Sequence, residues 1–371
     1  MENIAPYRLV RLANGVWSVH SHAHRETFHP VVGPAAEAEA LYVRQFDLGA
    51  RLQAHQGEFV VWDVGLGAAA NAIAILRATR DLPFSIRLVS FDHTLEPLAF
   101  AVEHPDELGY LDGYEPRVRE LLAHGKTTFT DGAQSVHWQA VVGDFPTLLA
   151  ARRSPTEAAN PRPGAAASTP HDSPLLLVRP PRITSALPKP HAIMFDAFSP
   201  AKNPAMWTQS LFNDLFHHLD PARPCAVATY SRSTLLRVSL LLAGFYVGSG
   251  QATGEKEETT IAANAPELIA RPLGADWLRR AHRSSSAEPL WEPHYRQAPL
   301  APATWERLQQ HPQFNPQQPS ADETAAHAAS AHATVIQTAT TPPVALLAGP
   351  PTESRGTIEP RQATPPAGDL R

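Results

Sequence analysis

The chain has 371 residues, 37 prolines, a single cysteine and a formal net charge of -5. Cys225 alone excludes an internal disulfide framework and a cysteine-built zinc or iron–sulfur centre, and the mild acidity argues against nucleic-acid binding over the whole surface. Met1–Val10 lacks a charged-then-apolar signal pattern and no apolar run approaches the ~18 residues of a membrane span, so a soluble protein of a reducing, cytoplasmic compartment is expected, with no membrane partner.

In chain order, residues 1–55 are expected to cover the main domain, with Ala35–Val43 helical. From residue 59 short apolar, β-branched runs alternate with helical stretches, the pattern of βαβ units around a mostly parallel sheet. The predicted strands are Phe59–Asp63, Ile86–Asp92, Trp138–Val142, Ala192–Asp196 and Cys225–Tyr230. A helix over Ser233–Leu242 and final strands over Phe245–Gly248 and Thr259–Ala262 follow. Residues 152–190, rich in Pro, Ala, Ser and Arg, read as a disordered insertion, and residues 310–371 as a disordered low-complexity tail, because neither can bury enough apolar surface to offset the entropy of ordering. The expected domain therefore spans residues 56–285.

Four predicted strands end in, or lead directly to, an acid: Asp63, Asp92, Asp144 and Asp196. In an open parallel sheet the carboxyl ends of the strands line the ligand crevice. Singly, each aspartate also suits a helix N-cap or a turn; four at one rim read as a site. The loop Asp63-Val64-Gly65-Leu66-Gly67-Ala68-Ala69-Ala70-Asn71 follows a strand and precedes a helical stretch, as nucleotide-like cofactors require, since glycine permits a tight turn and close backbone approach. A dinucleotide site favours a third glycine and a helix N-terminus facing a pyrophosphate, whereas position 69 is Ala and an acid stands two residues before Gly65. S-adenosylmethionine (SAM) carries an ammonium and a sulfonium and no phosphate, so nearby carboxylates favour it. Asp92 is then suited to the ribose hydroxyls, and Asp144, behind Gly143, to the adenine edge.

The segment Phe195–Trp207 ends a strand with an acid, turns through two prolines and presents Lys202, Asn203, Met206 and Trp207. It suits methylation of an amine, which needs loss of a proton, orientation of the neutral nitrogen and alignment with the donor methyl. A rigid loop with Trp207 packed in the core is the other reading.

Residues 59–71, 86–92 and 191–207 resemble the methyltransferase domain of the MnmC family, which methylates the aminomethyl group on the wobble uridine of certain tRNAs. That family reads acid-x-Gly-Phe-Gly-x-Gly-x-Asn, a later acid after a strand, Gly-Asp, and Asp-Gly/Ala-Phe-x-Pro-x-Lys-Asn-Pro-x-Met-Trp. The matching positions are Asp63, Gly65, Gly67 and Asn71, then Asp92, Gly143-Asp144, and Asp196 through Trp207. The resemblance spans about residues 15–285, and no stretch resembling the family's oxidase domain follows, so it is to the stand-alone form. Leu66 stands for Phe and Ala69 for Gly, which predicts a tighter loop or a differently seated helix.

The resemblance implies a doubly wound, Rossmann-like α/β fold of the class I SAM-dependent methyltransferase type, SAM as cofactor and tRNA as partner. It implies Asp196 as the catalytic group that positions or deprotonates the amine, with Asp63, Gly65, Gly67, Asn71, Asp92, Gly143, Asp144 and Asp196 around the cofactor. Phe198, Pro200, Lys202, Asn203, Trp207 and Tyr230 form the substrate side, and Arg232 and Arg237 are candidates for phosphate contacts or solvated surface. The acidic run Glu255–Glu258 weakens the case for RNA there. The histidine-rich stretch His20–His29 is read as a cap over the pocket, with Glu26, Glu37 or Glu39 near the methionine end, rather than as a metal site. The alternatives are methylation of a small-molecule or protein amine, or a degenerate scaffold in which Ala69 marks lost function.

Overall fold

Strands buried on both faces need cover on both, and the chain supplies that cover in sequence order. A computed structural model describes residues 5–151, 187–254 and 257–315. Strands β1 (Tyr7–Arg11), β2 (Trp17–Ser21) and β3 (Glu26–Thr27) form a small antiparallel sheet. Helix α1 (Pro34–Ala38) runs directly into a π-helical turn, Glu39–Arg44, that buries Ala40, Leu41 and Tyr42; α2 (Leu48–Ala54) follows. Next come β4 (Glu58–Val64), α3 (Ala70–Thr79), β5 (Ser85–Asp92), α4 (Glu96–Val102), α5 (Pro105–Leu108), α6 (Glu115–His124), the hairpin β6 (Lys126–Asp131) and β7 (Gln134–Val142), and α7 (Phe145–Ala150). The chain continues through β8 (Ala192–Phe195), a 3-10 turn at Pro204–Trp207, α8 (Gln209–His218), β9 (Ala226–Thr229), α9 (Thr234–Ala243), β10 (Tyr246–Ser249), β11 (Thr260–Ala263), α10 (Ala275–His282) and α11 (Pro302–Gln309).

The main sheet has eight strands in the order β10-β11-β9-β8-β4-β5-β7-β6. From β9 to β7 all neighbours are parallel; β11 and β6 run antiparallel to theirs. Strand order reverses between β4 and β8, the position at which an open α/β sheet forms its crevice. Alternation along β4 sends Phe59 and Val61 into one core with Leu41 and Ile73, and Val60, Trp62 and Val64 into the other with Phe212 and Leu236. The sheet is thus wound on both faces, and the five parallel strands lie within a few residues of their expected positions.

Ala69 is the N-cap of α3 and takes a left-handed conformation, φ 64 and ψ 16, which an alanine adopts only under strain. Its amide still donates to Leu66 O at 2.8 Å, and its carbonyl accepts from Ile73 N at 3.0 Å. The loop therefore keeps a glycine-type geometry with an alanine in it. The left-handed cost of ~1–2 kcal/mol is offset by burying the methyl, ~0.8 kcal/mol, and by an unfolded chain stiffer than with glycine, ~0.5–1 kcal/mol. Ala69→Gly should accordingly change stability by less than about 1 kcal/mol in urea unfolding.

The packed chain runs past residue 285. Gln209 N donates to Leu290 O at 2.8 Å, and buried Glu288 accepts from Trp291 Nε1, Ala301 N and Thr304 Oγ1, which ties α11 to the domain. Residues 310–315, expected to be unpacked, are part of this layer: the Gln313 amide accepts from Val247 N at 2.7 Å and donates to Val247 O at 2.8 Å, covering β10 as a further strand would. The remainder of the expected tail, residues 316–371, and the expected insertion apart from 187–190 lie outside the described residues, as do Glu255 and Lys256. Among the described residues no helix is long and apolar enough to cross a membrane.

Candidate functional site

At the switch point β4 ends against β8, and Gly65, φ 97, turns where a Cβ would lie 2.5 Å from Asp196 O. Two backbone segments meet there at a distance that glycine permits. Gly65 N and Leu66 N both donate to Phe91 O, at 2.9 and 3.1 Å, fixing the loop over β5. Above the junction lies a cavity of about 740 Å³, lined by the glycine loop, the ends of β5 and β7, the segment after β8, and the N-terminal stretch.

The acids at its rim are placed differently from one another. Asp92 Oδ2 accepts from Gly67 N at 2.9 Å and Oδ1 from His93 N at 2.8 Å. Oδ1 also accepts from Thr94 N at 3.4 Å and lies 3.0 Å from His93 Nδ1, so Oδ2 is the oxygen that keeps a further lone pair for a ribose hydroxyl. Asp144 is the N-cap of α7 through Thr147 N and Oγ1, yet also lines the cavity beside Gly143. Asp196 accepts from Asn71 Nδ2 at 2.7 Å, so α3 fixes the carboxylate at the end of β8.

Asp63 does not line the cavity. It is fully buried behind the loop at the end of a chain in which Trp138 Nε1 donates to Ser90 Oγ at 2.9 Å and Ser90 Oγ donates to Asp63 Oδ2 at 2.8 Å. Its Oδ1 and that of Asn71 are buried with no hydrogen-bond partner. Burial pushes the Asp63 carboxyl up to about 7, opposed by the Ser90 bond and reinforced by Asp196 and Asp92. A carboxyl raised on folding contributes most below its unfolded value, and that contribution is lost as pH rises through the folded one. Asp63→Asn should therefore gain stability relative to the wild type between about pH 5 and 8; a difference that is constant with pH in urea unfolding contradicts this.

On the acceptor side, Phe198, Lys202, Asn203 and Tyr230 line the cavity. Phe198 stacks on His24 with ring centroids 3.9 Å apart and planes at 14°, and Tyr230 Oη donates to Ala197 O at 3.0 Å. Burial, then neighbouring His93, lowers the His24 pKa and favours a neutral stacked ring.

Pro200 and Trp207 are corrections. Neither lines the cavity: Pro200 sits in the turn closed by Lys202 N to Ser199 O at 2.8 Å, while Trp207 is wholly buried against Phe195 and donates Nε1 to Phe198 O at 2.8 Å. The 3-10 turn rotates the indole into the core, so Trp207 braces the loop from beneath. Arg237 is likewise no phosphate contact. It is 2% exposed on α9 and bound to Glu258 at 2.9 Å, Thr259 O and Thr260 Oγ1. Glu258 of the acidic run neutralises it. Arg232 is exposed.

The N-terminal stretch contributes Tyr7, residues 24–30 and Glu37 to the lining. Glu26 accepts from Ser199 Oγ and from Ser199 N, joining the small sheet to the loop after β8. His29, not singled out as a site residue by its sequence, lies between Glu37 and Asp196. Glu39 is not in the lining, and His20 bonds Thr27. Among the described residues no group of three or more His, Cys, Asp or Glu is arranged to hold a metal ion.

A hydroxyl-accepting carboxylate at Asp92, the unpartnered Asn71 oxygen in the lining and a glycine loop with no basic residue suit a cationic, ribose-bearing ligand without phosphate. A family model described as S-adenosyl-L-methionine-dependent methyltransferase matches residues 182–265. The tRNA 5-methylaminomethyl-2-thiouridine biosynthesis bifunctional protein MnmC of Cupriavidus necator is 27% identical over 274 residues, 70% of this chain and 36% of that protein. Its counterpart from Methylibium petroleiphilum is 35% identical over 99 residues, 27% of this chain and 14% of that protein. The chain thus spans little more than a third of these relatives at most. The crystal structure of MNMC2 from Aquifex aeolicus superposes with a TM-score of 0.54 at 21% identity, covering 78% of this chain and 79% of that one, which supports the fold. With the glycine loop, the rim of acids and the reversal of strand order, these likenesses make the chain similar to S-adenosyl-L-methionine-dependent methyltransferases and, among them, to the MnmC proteins.

Proposed function

We propose that the chain transfers a methyl group from SAM to the aminomethyl nitrogen of a wobble uridine in tRNA. The observation that carries this reading is Asp196: its carboxylate, fixed by Asn71, lines the same cavity as the stacked Phe198 and His24. An anion positioned beside a flat aromatic surface suits a planar base bearing a cationic side arm. The relatives' printed role in tRNA 5-methylaminomethyl-2-thiouridine biosynthesis supports the same acceptor.

Asp92 would hold the ribose hydroxyls of SAM, the Gly65–Gly67 backbone would follow its edge, and Gly143 and Asp144 would meet the adenine. Bound SAM supplies an electrophilic methyl group on a sulfonium. Asp196 accepts hydrogen bonds from the amine and orients it; Lys202 and Asn203 close the pocket around the base, and Phe198 stacks on it. Trp207, Tyr230 and Glu26 hold that loop in place through Phe198 O, Ala197 O and Ser199. Glycine-type geometry at Ala69 argues against a degenerate loop.

Purified protein supplied with labelled SAM should methylate tRNA carrying an aminomethyl wobble uridine and leave tRNA lacking that group unlabelled. Transfer to small amines or protein but not to this tRNA reassigns the acceptor; absence of SAM binding in calorimetry removes the enzymatic reading.

A further inference from the structure

Four carboxylates, two phenols and one imidazole converge on the acceptor side of the cavity. His29 Nδ1 lies 3.7 Å from Glu37 Oε2 and its Nε2 lies 3.7 Å from Asp196 Oδ2; the histidine and Glu37 side chains are 11% and 8% exposed. Glu37 comes from α1, Asp196 from the end of β8, and Asp63 from β4 also acts on His29. Tyr42 of the π-helical turn and Tyr230 after β9 stand in the field of Asp196 and Glu37, with Glu26 of β3 acting on Tyr230. His29 lines the cavity and is held at φ 48, a strained left-handed backbone for a histidine. That strain places the ring between two acids from distant parts of the chain.

We propose that His29, standing between Glu37 and Asp196, is the base that takes the proton lost by the acceptor amine, while Asp196 orients that amine. The inference rests on the amine reading above. Reference values of ~10.4 for an alkylammonium, ~6.5 for imidazole and ~3.9 for a carboxyl make an imidazole the better acceptor by roughly two to three orders of magnitude. Nε2 is the ring nitrogen on the side of Asp196, 3.7 Å from its Oδ2, and so the one that meets an amine oriented by that carboxylate, while Glu37 stands 3.7 Å from Nδ1 and favours the imidazolium that results. The ammonium N–H bond breaks with its electron pair left on nitrogen, and the proton goes to the Nε2 lone pair. Nitrogen then forms a bond to the methyl carbon as the C–S bond breaks with its pair to sulfur. The product leaves as a secondary ammonium, and the imidazolium returns its proton to water, so one proton is released per turnover.

His29→Gly suits the test because glycine adopts positive φ without strain. It should lower kcat on aminomethyl-uridine tRNA by about 10²–10⁴-fold, added imidazole should restore part of the loss, and SAM affinity in calorimetry should change little. His29→Asn, which also tolerates this backbone, should show the loss if the glycine variant fails to fold. Glu37→Gln removes an anion beside the imidazolium, so the acid limb of the pH profile of kcat/KM should move to lower pH. In the cofactor-free protein the NMR titration midpoint of His29, identified by its absence in His29→Gly, should fall in the same variant. An unaffected kcat, a loss that imidazole does not rescue, or an unmoved midpoint overturns the proposal. Wild-type protein that transfers nothing to this tRNA sinks the acceptor reading instead, and the NMR titration still decides whether Glu37 governs His29.

Discussion

Asp196→Asn should slow methyl transfer by about 10²–10⁴-fold while SAM affinity changes far less. Asparagine fills the same volume, and with its amide oxygen turned towards Asn71 it keeps the 2.7 Å hydrogen bond from that residue. The nitrogen of the amide then faces the amine, setting donor against donor, and the negative charge that attracts an ammonium is gone. Asp92 and Asp144, which line the same cavity from the ends of other strands, are untouched, so cofactor binding should persist. Single-turnover transfer of labelled methyl measures the first effect and calorimetry the second. Full activity in the variant would remove Asp196 from the chemistry.

Gly65→Ala should destabilise the domain by about 2–5 kcal/mol, combining ~1–2 kcal/mol for a left-handed non-glycine residue with ~1–3 kcal/mol for overpacking. The added methyl would sit 2.5 Å from Asp196 O and 2.9 Å from its carbonyl carbon. Neither atom belongs to a side chain that can swing aside; both lie at the end of β8, already fixed by Asp196 N donating to Val64 O at 2.9 Å. Relief must come from parting β4 and β8, which opens the crevice where both ligands would meet. Urea unfolding should show the loss, and SAM binding should fall in the protein that remains folded. An unchanged midpoint would mean that the two strands are less tightly joined than their hydrogen bonds indicate. Ala69→Gly in the same loop is the contrast, because its methyl is accommodated.

The parallel strands were legible because burial on both faces writes them as continuous apolar runs, as in Phe59-Val60-Val61-Trp62 and Ala192-Ile193-Met194-Phe195. β6 was not, although Asp131-Gly132 is a hairpin signal, because Lys126-Thr127-Thr128-Phe129-Thr130-Asp131 is largely polar. Its inward Asp131 is made tolerable by Tyr114, Gln134 and Arg80, partners that no local pattern reveals. Arg237 misled for a similar reason: an arginine after a strand reads as surface until β11 and Glu258 fold back over it.

By itself, then, the sequence determined the order of strands and helices, the glycine turn and the acids at the carboxyl ends, since these follow from local periodicity and from backbone conformations that few residues adopt. Tertiary structure decided which way each side chain faces at the rim. Pairing of β4 with β8 brings Gly65 against Asp196 and α3 brings Asn71 to that carboxylate, while a 3-10 turn sends Trp207 into the core. His29 and Glu37 join the site through the packing of the N-terminal stretch over the sheet. Such contacts join residues distant in sequence, and their energy depends on burial and mutual distance, quantities that a linear pattern does not carry.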